Sequence, residues 1–165
     1  MRRLLRFAVA LAGAGALLLP NGLGAQEVEG RAALVVVHTL FDAMRASDAE
    51  VLGSVFHSDA RLMTALADRN GDPVVRTVPI QDFIESVVQS MAKLDERLWD
   101  EEVRISGNLA TVWTPYALYV DGAFSHCGVD AFQLGKTSDG WKILQITDTR
   151  QVEGCVVPDH VKPSG

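Results

Sequence analysis

The sequence predicts an α+β fold with helices packed on one face of a mixed, curved β-sheet, and three observations carry that prediction. The segment from Leu109 to Arg150 reads as three β-branched and aromatic runs separated by Asp121-Gly122 and by Thr137-Ser138-Asp139-Gly140. An Asp-Gly pair between two such runs is a strong hairpin signal, because both central residues of a type I′ turn need positive φ. Ile80, Phe83, Ile84, Val87, Val88, Met91 and Leu94 recur at helical spacing. The order helix, helix, strand, strand, helix and then four strands segregates helices from the terminal meander, as α+β folds do.

Taken in order, the elements have local causes. Residues 29–46 place Ala33, Val37, Leu40, Phe41 and Met44 on one helical stripe. Ser47-Asp48-Ala49-Glu50 reads as a capping box that opens a short second helix through Val55 or Phe56. Residues 60–65 and 74–78 read as strands, punctuated by Asn70-Gly71-Asp72-Pro73. Pro79 suits the first turn of the third helix. A further strand is expected over residues 99–106, ending at Gly107-Asn108, ahead of the meander.

The two-residue turn implies a register for the meander. With Val120 opposite Ala123, an unbroken ladder sets Tyr119 against Phe124, Ala117 against His126, Trp113 against Asp130 and Thr111 against Phe132. One face then carries Trp113, Tyr119, Phe124, His126, Asp130 and Phe132. The other carries Val112, Thr114, Tyr116, Leu118, Cys127, Val129 and Ala131. The second face is too apolar to leave in water as a contiguous patch, which predicts a homodimer through it. A slip of one residue would exchange sides.

Residues 1–25 read as a secretory signal followed by a single domain over residues 26–165. Arg2, Arg3 and Arg6 precede an apolar run from Phe7 to Leu19, and Pro20-Asn21-Gly22 leads to a cleavage site after Ala25. The run falls short of the ~20 residues that span a bilayer, and no cysteine near the site could take a lipid, so no stable membrane anchor is expected after cleavage. The protein is therefore expected to be periplasmic or secreted. The signal takes three of the 15 basic residues and none of the 21 acidic ones, leaving twelve against twenty-one, or −9. Such an acidic chain is a poor partner for nucleic acid. In an oxidising compartment Cys127 and Cys155 are expected to form a disulfide. Two cysteines without CxxC spacing make no metal pattern, and no cofactor motif is present.

The segments Val55-Phe56-His57-Ser58-Asp59-Ala60-Arg61-Leu62-Met63, Val112-Trp113-Thr114-Pro115-Tyr116, Phe124-Ser125-His126-Cys127-Gly128-Val129, Gly140-Trp141-Lys142-Ile143 and Ile146-Thr147-Asp148-Thr149-Arg150 together resemble the nuclear transport factor 2-like (SnoaL-like) superfamily. Within it, they are most similar to the exported putative lumazine-binding family. The resemblance implies a cone-shaped, cystatin-like curved sheet wrapped around helices, with a ligand cavity inside. It does not name a reaction, since this superfamily hosts enzymes, carriers and dimerisation modules.

Candidate ligand-binding residues are His57, Trp113, His126, Asp130 and Arg150. His57 lies where the fold opens its cavity and can act as a base or ligand partner, or simply bond Asp59. His126 and Asp130 sit two strand steps apart among aromatic residues; they can polarise a ligand or hold strands together as a pair. Asp148 and Arg150 share a face, which favours a salt bridge, while Arg150 can also hold a carboxylate bidentately. Trp113 and Trp141 are candidates for core as much as for ligand stacking.

Three function classes follow: a binder of a small apolar or aromatic molecule, a proton-moving enzyme of the isomerase, dehydratase or cyclase kind, and a dimeric interaction module. Against the enzyme, the position at which the resemblance implies a steroid-isomerase base is Thr64, which cannot serve. No GxSxG, HExxH or phosphate loop is present. Binding ranks first.

Overall fold

The structure is a computed structural model that describes residues 21–163. The basic and apolar stretch of the expected signal, residues 1–20, lies outside the described residues. Three helices, α1 (Asn21–Ala46), α2 (Ala49–Val55) and α3 (Ile80–Val88), pack against a curved, unclosed sheet of seven strands. The strands are β1 (Phe56–Ala67), β2 (Pro73–Val78), β3 (Leu94–Leu98), β4 (Glu102–Ser106), β5 (Leu109–Val120), β6 (Ala123–Thr137) and β7 (Gly140–Thr149). Their order is β2-β1-β7-β6-β5-β3, with β4 also paired to β5. Only β1 and β7 run parallel; the remaining pairs are antiparallel. The α+β expectation holds.

Helix α1 buries the stripe read from its sequence, Ala33, Val37, Leu40, Phe41 and Met44. Two polar clamps orient it on the sheet. Glu29 accepts from Lys136 Nζ at 2.6 Å and from the indole N–H of Trp141 at 3.0 Å. At the other end Arg45 donates to Asp95 Oδ1 at 2.7 Å, and Asp95 also accepts from Arg97 Nε at 2.9 Å. This pair of arginines around one buried carboxylate locks β3 beside the helix, and β3 carries a residue of the site. Trp141 is core.

Four local expectations are corrected. The cap of α2 is Asp48, whose side chain accepts from the Val51 N–H; Ser47 instead adopts φ +54° to turn the chain. The pattern through Leu94 does not continue one helix: α3 stops at Val88, where Gln89 N–H bonds Glu85 O and Ser90 N–H bonds Val87 O. Ser90 Oγ then closes a tight turn on Ala92, so Met91 is fully exposed and Leu94 begins β3. The strand expected at residues 99–106 is the shorter β4, and Asp100 at φ +49° separates it from β3, a strand the sequence reading does not assign. β3 pairs with the end of β5 and β4 with its start.

The meander register is the fourth correction. The Asp121-Gly122 turn forms as read, with φ +51° and +80°, and Tyr119 opposes Phe124. The ladder then shifts: Leu118 opposes His126, and Ser125 has no partner across the strand. This bulge brings Thr114 opposite Asp130 and Trp113 opposite Ala131. The concave, helix-facing side therefore carries Val112, Thr114, Tyr116 and Leu118 from β5, with His126, Asp130 and Phe132 from β6. Val112, Thr114 and Tyr116 are buried against the chain's own interior, so the face assigned to a second copy is not available for one. Val129 lies on the opposite, outer face.

Cys127 and Cys155 form a disulfide, 28 residues apart in sequence. It pins the segment after β7 over the outer face of the hairpin, where Ala117, Tyr119 and Cys127 are buried with Trp99 and Val157 packed on them. Gln151 continues the pinning by exchanging two 2.9 Å backbone hydrogen bonds with Cys127. Replacing both cysteines by serine should lower the unfolding free energy by about 3.5 kcal/mol, the entropy of closing a loop of this length. Urea titration of the oxidised parent against the double variant checks it; superimposable curves would show that the tail needs no covalent tether.

Candidate functional site

A cavity of about 220 Å³ lies between α1, α3 and the concave side of the sheet. It has roughly seven times the ~30 Å³ that a water takes in the liquid, room for a one- or two-ring molecule. Its walls divide by chemistry. Leu40, Phe41 and Met44 from α1, Phe83 and Val87 from α3, and Leu62 and Ile146 from the sheet form an apolar body. Glu96, Tyr116, His126, Asp130, Asp148 and Arg150 form a polar end.

The polar end is built row by row across the sheet. Glu96 on β3 opposes Leu118, which opposes His126. Thr114, Asp130 and Asp148 form the next row across β5, β6 and β7. Between them Tyr116 opposes Gly128, and the absence of a side chain at Gly128 is a geometric necessity. A Cβ there would lie 1.9 Å from the Thr149 carbonyl oxygen and 2.8 Å from the Tyr116 ring. Glycine thus lets the phenol cross β6 and donate to Thr149 O at 2.9 Å, with its oxygen 3.5 Å from Asp148 Oδ2. The imidazole of His126 meets the Tyr116 ring edge-on at 5.8 Å, and its Nδ1 lies 3.0 Å from Ser125 Oγ.

Three carboxyl groups share this space with one guanidinium. Arg150 Nε donates to Asp148 Oδ2 at 2.7 Å, the salt bridge expected from the sequence. Asp130 and Asp148 are 3% and 5% exposed, and one oxygen of each, Asp130 Oδ2 and Asp148 Oδ1, is buried without a hydrogen-bond donor. Burial, reinforced by the charge of Glu96, pushes Asp130 well above the usual carboxylate range. Burial likewise pushes Glu96 up to about 7; Asp148 adds to the rise, while the hydrogen bond from Asp130 works against it. Burial and their mutual repulsion therefore favour a proton held within this pair, with Asp130 the more strongly raised of the two by its contact with Glu96. Burial and the neighbouring carboxylates also raise the Tyr116 phenol. Burial and then the Arg150 charge lower His126, leaving it neutral near pH 7.

Of the five candidates, the structure brings His126, Asp130 and Arg150 together at this cavity. Trp113 is not with them: the bulge at Ser125 leaves it on the outer face, 53% exposed. His57 is also outside the lining. It sits at the start of β1, where its Nδ1 accepts from the Asp59 N–H at 3.2 Å, the local role that competed with a site role in the sequence. Glu96 and Tyr116 are additions. The unbroken ladder puts Tyr116 on the face away from His126 and Asp130, and Glu96 lies in a segment whose pattern announces no strand. Among the described residues, no group of three or more His, Cys, Asp or Glu side chains is arranged to hold a metal ion.

The raised carboxyls make folding pH-dependent with a defined sign. Between the ordinary glutamate pKa of 4.5 and about 7 the folded protein binds more protons at Glu96 than the unfolded chain does, so stability falls as pH rises through that window. The Glu96→Gln variant should lose part of this slope and gain stability relative to the parent at pH 8. Unfolding curves at pH 5, 6.5 and 8 check this; parallel pH profiles for the two proteins would refute it.

The geometry agrees with what comparison with known proteins finds. A model of the family described as putative lumazine-binding matches residues 28–147. No curated protein matches the chain in sequence. Many solved structures share the fold. A nuclear transport factor 2-like protein of unknown function from Shewanella baltica superposes with a TM-score of 0.58 at 14% identity, covering 77% of this chain and 97% of its own. A nuclear transport factor 2-like protein with a cystatin-like fold from Novosphingobium aromaticivorans gives 0.62 at 14% identity, covering 87% and 94%. A protein from Streptomyces avermitilis described as a putative dehydratase of the same fold family gives 0.57 at 15% identity, covering 76% and 98%. At these identities the structures speak to fold alone. With the family model spanning most of the sequence, the chain belongs to the putative lumazine-binding family, on the nuclear transport factor 2-like fold.

Proposed function

We propose that this protein is an exported binder of a small, largely apolar or aromatic molecule, seated in the cavity between α1, α3 and the concave sheet. The observation that carries the reading is the division of the cavity wall into an apolar body and one polar end. That end includes two buried carboxylate oxygens with no donor. Buried polar atoms are rarely left unpaired without a reason, and a ligand that completes them supplies one. The family's description points the same way, toward a small-molecule ligand. Export rests on the basic and apolar N-terminal pattern and accords with the disulfide. No described helix is long and apolar enough to cross a membrane.

A second reading, a proton-moving enzyme, has one specific observation in its favour. Glu96, its pKa raised by burial to about 7, stands beside Asp130, whose carboxyl burial also raises, and the Tyr116 hydroxyl in a largely apolar cavity. A carboxyl poised near the working pH is what general acid–base catalysis needs. We also propose a homodimer, formed through the outer face of the sheet, where Trp113 is exposed among Thr111, Ala131 and Thr147.

Native mass spectrometry of protein recovered from its own envelope tests these points together. The expected spectrum is a dimer of chains beginning at Gln26, each retaining a small molecule. In a Ser86→Trp variant the bulky ring at the exposed cavity rim should abolish retention while leaving the unfolding temperature equal to that of the ligand-stripped parent. A chain with no retained molecule, whose unfolding temperature is unmoved by any compound in a small-molecule screen, would contradict the binding reading.

A further inference from the structure

We infer that the ligand's polar head is an organic cation with N–H donors, a protonated amine or amidinium on an apolar ring body, seated among Glu96, Asp130 and Asp148. This rests on the reading of the cavity as a ligand site and adds the chemistry of what it takes.

The charge inventory of the polar end decides the sign. The titratable groups that face it are Glu96 from β3, Tyr116 from β5, His126 and Asp130 from β6, Asp148 from β7 and Arg150 just beyond it; α1, α3 and β1 contribute none. Three carboxyls thus face one guanidinium, and that guanidinium already donates its Nε–H to Asp148. The rest of Arg150 is open to solvent, its side chain 51% exposed, which screens its charge. An anionic head would meet a committed arginine inside a ring of carboxyl oxygens. The sequence offers Arg150 both a salt bridge with Asp148 and a ligand carboxylate, and the fold commits its Nε to the salt bridge.

The hydrogen-bond inventory decides the polarity independently of charge. The Tyr116 hydroxyl is used on Thr149 O, while Asp148 Oδ1 lacks a donor altogether. The other orphaned oxygen, Asp130 Oδ2, has no partner either, and its burial beside Glu96 favours a proton on this carboxyl pair. Spare buried acceptors call for donors, because a buried polar group left unpaired loses its hydration without recompense. An N–H cation supplies donor and charge at once and takes the place of that proton, which leaves to solvent. Cation binding and proton release are then linked: affinity rises with pH until the amine itself deprotonates. The apolar walls at Phe41, Phe83 and Met44 accept the ring.

The test is calorimetry with three probes of one shape: 2-phenylethylamine as cation, 3-phenylpropionate as anion and 2-phenylethanol as neutral control. The amine should bind at least tenfold more tightly than either analogue and gain affinity between pH 6 and pH 8. It should also release a fraction of a proton, read by repeating the titration in buffers of different ionisation enthalpy. Glu96→Gln should weaken the amine at least tenfold and diminish the proton release, while the alcohol, which gains nothing from the carboxylate charge, should lose less than threefold. If the carboxylate or alcohol binds as well as the amine, and Ser86→Trp abolishes that binding, the inference is overturned while the cavity stands as a ligand site. If none of the three binds, the inference falls too, and retention of a native ligand separately decides the reading of the cavity.

Discussion

Ser125 has no partner in the β5–β6 ladder, and the polar end of the cavity depends on that omission. Beyond the bulge every residue of β6 is displaced by one position relative to β5, which turns His126 and Asp130 toward the helices and leaves Trp113 outside. Without it the concave row would hold Trp113 instead of Thr114 opposite Asp130. Gly128 and Tyr116 would also no longer be opposed, and the phenol could not cross to Thr149 O. The disulfide and the Cys127–Gln151 bridge lie within two residues of the bulge on the outer face. They hold β6 in the shifted register where a lone bulge could otherwise slide.

Gathering two buried carboxyl groups and a third, half-buried one beside one arginine is costly, and the fold meets that cost only in part. Asp148 takes the ion pair, Asp130 takes a proton, and Glu96 is left to accept from Asp130 near its own titration point. Replacing such a cluster with packed apolar side chains would often stabilise a protein, so its presence argues for use rather than for stability. The same clamps that fix α1 also serve it. Arg45 and Arg97 converge on Asp95 and hold the short β3, and with it Glu96, over the row formed by Thr114, Asp130 and Asp148.

Much of the architecture is legible in the sequence because local chemistry and fold agree. Asp121-Gly122 needs positive φ and adopts it, the helical stripe of α1 is the buried stripe, and the even pair of cysteines expected to bond is joined. The site is less legible, for two physical reasons. A bulge leaves no mark in an alternating pattern, since Phe124-Ser125-His126 reads equally well with or without one; all face assignments beyond it then invert. Leu94 extends a helical period by chance, and the Ser90 turn that ends α3 is a side-chain event rather than a glycine or proline. Glu96 was hidden by that coincidence. His57 shows the converse: a histidine at a promising place in the chain whose ring is engaged by the next backbone N–H but one.

The central claim is that Glu96 and Asp130 hold a proton between them in the folded protein at neutral pH. Infrared spectroscopy of the ligand-free protein tests it directly, because a protonated carboxylic acid has a carbonyl stretch distinct from the carboxylate bands. The claim predicts such a band at pH 7, changing as pH rises and altered by Glu96→Gln. A spectrum with only ionised carboxylates at pH 7, the same in parent and variant, would contradict it.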